Sequence, residues 1–136
     1  MNKSDLVELK YLSRAQEKMH LSTLAEITDV SRARNEPNGI TGILFFDHGY
    51  YGQILEGERV VVEEKWIRIK NDARHYDIEL LGIKEIQDRR FPKWSMKLFN
   101  AQEFKGAFPQ FAELISKMDD PDAENIRILK SLWQNI

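Results

Sequence analysis

The chain has 136 residues, 42% of them hydrophobic and 31% charged, which suits one globular domain with room for a short extension. Its formal charge of −2 gives no electrostatic case for nucleic acid or an anionic membrane as the main partner. The absence of cysteine excludes a disulfide scaffold, a thiolate metal site and a thiol nucleophile.

No apolar stretch behind Met1–Asp5 is long enough for a signal peptide, and runs such as Ile43–Phe46 are far too short to cross a bilayer. The expected location is the cytoplasm. From Leu6 the sequence alternates, which predicts a strand with Val7, Leu9, Tyr11 and Ser13 on one face and Glu8, Lys10 and Leu12 on the other. Ser22 or Thr23 can cap a following helix, with Thr23 and Glu26 in capping-box spacing. Leu24, Ile27, Thr28, Ser31 and Asn35 share one side of it, and Pro37-Asn38-Gly39 ends it. Residues 40–46 read as a strand apolar on both faces, so both faces need cover. Asp47-His48-Gly49 turns the chain into a second hairpin strand over 50–56.

A second helix is predicted over 58–71, with Val62, Trp66 and Ile69 as its apolar stripe. Strands follow over 77–86 and 94–99, the last with Trp94, Met96 and Leu98 on one face. Phe108, Phe111, Leu114, Ile115 and Met118 then recur at helical spacing, as do Ile126, Leu129, Leu132 and Trp133 after a Pro121-Asp122 start. The order strand, helix, strand, strand, helix, strand, strand predicts an α+β, ferredoxin-like sheet. Two helices cover one face and the C-terminal helices the other. The expected organisation is a core domain over 1–100 and a helical extension over 101–136, with the weakest boundary at 101–106.

No nucleophile lies beside a base in the sequence, and His20, His48 and His75 are scattered without metal-ligand spacing. Gly39 and Gly42 begin a strand and do not open a helix, so they do not form a dinucleotide-type phosphate loop. What stands out is polar residues inside apolar elements: Tyr11 and Ser13 on the first strand, Asn35 at the end of the first helix, and Gln53 between Tyr51 and Leu55. A buried glutamine amide needs partners at both its ends, and mutual satisfaction of Tyr11 and Gln53 in an ordinary core would meet that need.

Five segments in order point further. Tyr11-Leu12-Ser13-Arg14-Ala15, Asn38-Gly39-Ile40-Thr41-Gly42-Ile43-Leu44, Gln53-Ile54-Leu55-Glu56-Gly57, Asp72-Ala73-Arg74-His75 and Phe91-Pro92-Lys93-Trp94-Ser95-Met96 together resemble the BLUF family, blue-light sensors that use flavin. The resemblance runs from about Leu6 to Phe99. It implies a non-covalently held flavin, FAD first and FMN or riboflavin as alternatives, lying between the two helices. The missing cysteine agrees, because it excludes sensing through a cysteinyl adduct. The resemblance implies that Tyr11, Gln53 and Asn35 contact the polar edge of the ring, with Ser13 close by. Ile27 and Ile69 sandwich the ring, which also fits ordinary core packing. Arg68 and Asp72, one helical turn apart, form a polar pair at its pyrimidine end. Arg74 and His75 lie at the ring and its phosphate-bearing tail.

The implied photochemistry runs through Tyr11 and Gln53 without a covalent bond to the flavin. The implied output runs from Gln53 through Trp94 and Met96 on the last strand to the C-terminal helices. It acts by self-association as a homo-oligomer or on an unidentified downstream protein, with no enzyme activity, no metal, no nucleic acid and no membrane. Two departures stand out. Gly52 occupies a position where the family commonly has a bulky apolar residue, which predicts altered packing under the C-terminal helices. Arg34 precedes Asn35, where another polar residue is frequent. The rival readings are a light-independent ferredoxin-like interaction module, which retention of Tyr11, Asn35 and Gln53 argues against, and a small hydrolase, for which no catalytic constellation is present.

Overall fold

The computed structural model describes residues 5–16, 21–118 and 125–136. The element order is β1 (Leu6–Ala15), α1 (Leu21–Asn38), β2 (Thr41–Asp47), β3 (Tyr50–Glu58), α2 (Arg59–Lys70), β4 (His75–Glu85), β5 (Lys97–Phe99) and α3 (Ala101–Ala107). A 3-10 turn (Pro109–Phe111), α4 (Ala112–Ile115) and α5 (Asn125–Asn135) complete it. The sheet order is β4-β1-β3-β2-β5, antiparallel except for the short parallel pair β2·β5. This is the ferredoxin-like α+β arrangement expected from the sequence, with β5 added beside β2.

The two faces carry separate apolar clusters. Leu9, Tyr11, Leu24, Leu44, Leu55, Val62, Trp66 and Met96 pack under α1 and α2. Leu12, Ile43, Phe45, Ile54, Phe104, Leu129, Leu132 and Trp133 pack under the C-terminal helices. The double apolar character of β2 and β3 follows from this, since every residue of β3 up to Gly57 is buried.

Local chemistry explains the joints. α1 ends in a Schellman motif: Gly39, at φ 68°, donates to the Glu36 carbonyl, and Ile40 donates to the Asn35 carbonyl at 3.0 Å. The last turn of α1 is thereby tied, with Asn35 in it and Pro37 tolerated. His48 and Gly49, both at positive φ, form the two-residue hairpin that sets the β2·β3 register. Ser22 and Thr23 lie within the helix, which is already under way at Leu21, so neither is the residue that precedes it. The Pro121-Asp122 start of the last helix lies outside the described residues.

Residues 101–107 form a capped helix: Asn100 accepts from Glu103 N at 2.7 Å in a capping box, and Phe104 is fully buried. Two expectations are corrected. The helical pattern over 108–118 is broken, because Pro109 opens a 3-10 turn and α4 spans only four residues. The last strand spans Lys97–Phe99, so 94–96 are not on a ladder with fixed alternation.

The approach to β5 is pinned by Glu56. Its fully buried carboxylate accepts from Thr41 Oγ1, Arg90 N and Phe91 N at 2.8, 2.6 and 3.1 Å. Replacing Glu56 by Ala strands these donors. The expected loss is about 3 kcal/mol in urea unfolding, from several donors left without an acceptor.

Candidate functional site

Between α1 and α2, above the sheet, lies a cavity of about 480 Å³. Its floor includes Tyr11, Leu44, Tyr51 and Gln53, one wall carries Ile27 and Asn35, and the other carries Lys65, Arg68 and Ile69. Asp72, Arg74 and His75 close the end beyond α2. A slot of this size, with aliphatic side chains on both walls and polar and charged groups around them, suits a flat heteroaromatic ligand with a polar edge.

Antiparallel register places Tyr11 directly opposite Gln53, and β4 meets β1 with irregular register on either side of Tyr11 and Leu12. The Tyr11 hydroxyl donates to Gln53 Oε1 at 2.6 Å, and Gln53 Nε2 lies 3.4 Å from Met96 Sδ. The thioether can only accept, so the amide turns its NH₂ to Met96 and its oxygen to Tyr11. Burial first, then the negative potential of Tyr51 and Asp72, pushes the Tyr11 hydroxyl far above the usual tyrosine range. Tyr11 therefore stays protonated and keeps Gln53 in this orientation.

Asn35, 1% exposed, donates from Nδ2 to the Ser95 carbonyl at 2.6 Å and accepts at Oδ1 from Lys65 Nζ at 2.7 Å. Arg32 Nε donates to the Met96 carbonyl at 2.7 Å. These bonds hold 95–96 against α1 although no strand runs through them. His75 Nε2 lies 2.6 Å from the Ile69 carbonyl, which only accepts, so Nε2 carries the proton. In the neutral ring Nδ1 then accepts from Ser13 Oγ at 2.7 Å.

Of the residues named from the sequence, Tyr11, Ile27, Asn35, Gln53, Arg68, Ile69, Asp72, Arg74 and His75 line the cavity. Ser13 lies behind it, bonded to His75. Two groupings differ from expectation. Arg68 and Asp72 both face the cavity as expected, but not from one helix: α2 ends at Lys70, and Asp72 turns to accept from Arg74 Nε at 2.9 Å. Those hydrogen bonds hold the Asp72 carboxyl below its usual range. Trp94 and Met96 do not share a face. Met96 is buried beside Gln53, whereas Trp94 stacks on Phe91 at 5.9 Å in the cluster under the C-terminal helices. Off the ladder, successive side chains are free of the two-residue alternation that placed them together.

Lys65 was missed by sequence reasoning, although its spacing revealed it. It is one turn before Ile69 and between Val62 and Trp66, on the inward stripe of α2. A second missed contact crosses the sheet: the Trp133 indole N–H donates to the Gln53 main-chain carbonyl at 3.2 Å. The only hint was Gly52. A Cβ there would lie 2.9 Å from Trp133 Cζ2, so the indole fills the space a side chain would need.

The comparisons agree with this geometry. The family model for BLUF, sensors of blue light using FAD, matches residues 6–97. The photoactivated adenylate cyclase subunit alpha of Euglena gracilis is 30% identical over 83% of this chain, which spans 11% of that relative. The blue light- and temperature-regulated antirepressor BluF of Escherichia coli K12 is 33% identical over 70% of this chain and 24% of its own length. The solved dark-state structure of BlrB, a BLUF protein, superposes with a TM-score of 0.74 at 30% identity, covering 98% of both chains. Among the described residues no helix is long and apolar enough to cross a membrane. The matched domain is a blue-light sensor. With the family model matching residues 6–97 and the Tyr11–Gln53 pair in the wall of a ligand-sized cavity, the chain belongs to the BLUF family of flavin-binding blue-light sensors.

Proposed function

We propose that this chain senses blue light through Tyr11 and Gln53 and passes the change to a partner through Met96, β5 and the C-terminal helices. The observation that carries the reading is the 2.6 Å hydrogen bond from Tyr11 to Gln53 in the wall of the cavity between α1 and α2. FAD is the proposed flavin, following the description of the family, with FMN and riboflavin as alternatives that the ring contacts would also admit. Ile27 and Ile69 would sandwich the ring, and Asn35, Gln53 and Arg68 would bind its polar edge. Arg74 and His75 would stand toward the phosphate-bearing tail.

The flavin supplies blue-light absorption and, once excited, a strong oxidant. The chain does the rest. Tyr11 would be the electron donor to that oxidant, and its hydroxyl proton would pass to Gln53 Oε1, 2.6 Å away. When both have returned, Gln53 is left rotated, tautomerised or both. Its two ends have opposite hydrogen-bond character, so the change exchanges a donor and an acceptor at almost constant shape. Met96 Sδ, now opposite Nε2, would then face an oxygen it cannot satisfy, and this would displace 95–96 against α1 and β5. In this reading residues 101–136 act as the output unit, in the cytoplasm, by self-association or by binding another protein.

The test is an absorption spectrum of the purified protein in darkness and after blue light. The expected result is a bound flavin whose band moves to the red and returns in darkness. Bound flavin without a band shift would sink the photochemical reading. A chain that stays colourless after reconstitution with FAD would favour the light-independent interaction module.

A further inference from the structure

Lys65 is the cavity group that the Tyr11–Gln53 chemistry does not use. Its ammonium donates to Asn35 Oδ1 at 2.7 Å, and among the described residues no carboxylate pairs with it. Two of its three N–H donors are therefore left for other partners. Its charged neighbours on the wall are Arg34 of α1 and Arg68 of α2, both repelling. Glu26 and Glu64 also line the cavity, and neither makes an ion pair among the described residues. The remaining titratable groups are engaged elsewhere: Asp72 with Arg74, His75 with Ser13 and Ile69, and Tyr11 with Gln53, while burial raises the Tyr51 hydroxyl above its usual range. A desolvated cation among like charges is held at a cost that an electron-rich ligand would offset. Asn35 meanwhile has its oxygen and one N–H committed, to Lys65 and to Ser95.

Resting on the flavin reading above, we infer that Lys65 is a ligand-recognition residue, whose ammonium, tethered to Asn35, donates hydrogen bonds to the carbonyl oxygens of the bound ring. Arginine at 65 would keep the charge and donors, whereas methionine would keep only the apolar stem. The cavity thereby favours a ring edge rich in acceptors, and binding is linked to protonation of this amine. Burial first, then Arg34 and Arg68, lowers the Lys65 amine to about 8 in the ligand-free cavity. Donation to the ligand raises it again, so binding takes up a proton, and affinity is lost as pH rises past about 8.

The test uses riboflavin, which has no phosphate for Arg74 or His75 to meet. Its affinity for the full chain is measured by fluorescence quenching at pH 7 and pH 9, for the native chain, Lys65→Met and Lys65→Arg. The native chain is expected to bind roughly tenfold more weakly at pH 9, one unit above the ligand-free value. Lys65→Met is expected to bind roughly tenfold more weakly than the native chain at pH 7 and to show no pH dependence, the loss of a charge-assisted donor. Lys65→Arg is expected to keep the pH 7 affinity and hold it at pH 9. Lys65→Met binding like the native chain, with the same pH profile, would overturn the role of Lys65 and leave the flavin cavity standing. Binding of neither riboflavin nor FAD by the native chain at either pH would remove both readings. If Lys65→Met loses its near-UV circular dichroism, Lys65→Gln makes the same comparison with a neutral polar side chain.

Discussion

Replacing Gln53 by Leu is expected to leave flavin bound and abolish the light-driven band shift altogether. Leucine fills nearly the same space at a position only 4% exposed, so the cavity floor survives. It has neither an acceptor for the Tyr11 hydroxyl nor a donor for Met96 Sδ, so nothing remains that can exchange a donor for an acceptor. The Tyr11 hydroxyl loses its acceptor in a buried site, which should lower stability by about 1–3 kcal/mol. The check is a light-minus-dark difference spectrum, read beside a thermal melt. Tyr11→Phe removes the electron and proton donor instead, and should also bind flavin and show no shift. A dark-reverting red shift in either variant would mean that the switch lies elsewhere in the cavity.

How much of this site could be read from the sequence depends on what enforces each contact. The Tyr11–Gln53 pair was legible because strand alternation puts both residues on the helix side of the sheet. Ile27, Asn35 and Ile69 were legible because helical spacing constrains faces over many turns. Prediction failed where a regular element stopped. Trp94 and Met96 were assigned one face on the assumption that the strand began at 94, but it begins at Lys97. Arg68 and Asp72 were paired by helical spacing, but the helix ends between them and an Asp72–Arg74 turn takes over. No local pattern encodes such tertiary substitutions.

Trp133 is the furthest such case, and its removal should have the largest effect on stability. The indole is fully buried against Phe45 and Phe104, at ring distances of 5.9 and 5.8 Å, and its N–H reaches the Gln53 carbonyl from 80 residues away. Lys10 Nζ donates to its carbonyl at 3.0 Å, tying α5 to β1 as well. Trp133→Ala should cost about 3–5 kcal/mol in urea unfolding, a large share of the ~5–15 kcal/mol that holds a domain of this size together. Gly52→Val attacks the same contact from the sheet side. Its Cβ would meet Trp133 Cζ2 at 2.9 Å and Leu12 Cδ2 at 3.0 Å, and β3 is held between β1 and β2 and has no room to retreat. The expected cost is about 1–3 kcal/mol from overpacking. Because valine would occupy space that the indole vacates, the double variant should be more stable than the sum of the single losses predicts, by about 0.5–3 kcal/mol. Additive losses would show instead that Gly52 and Trp133 do not compete for one space. The absent side chain at 52 would then not be what lets the last helix sit against the backbone of Gln53.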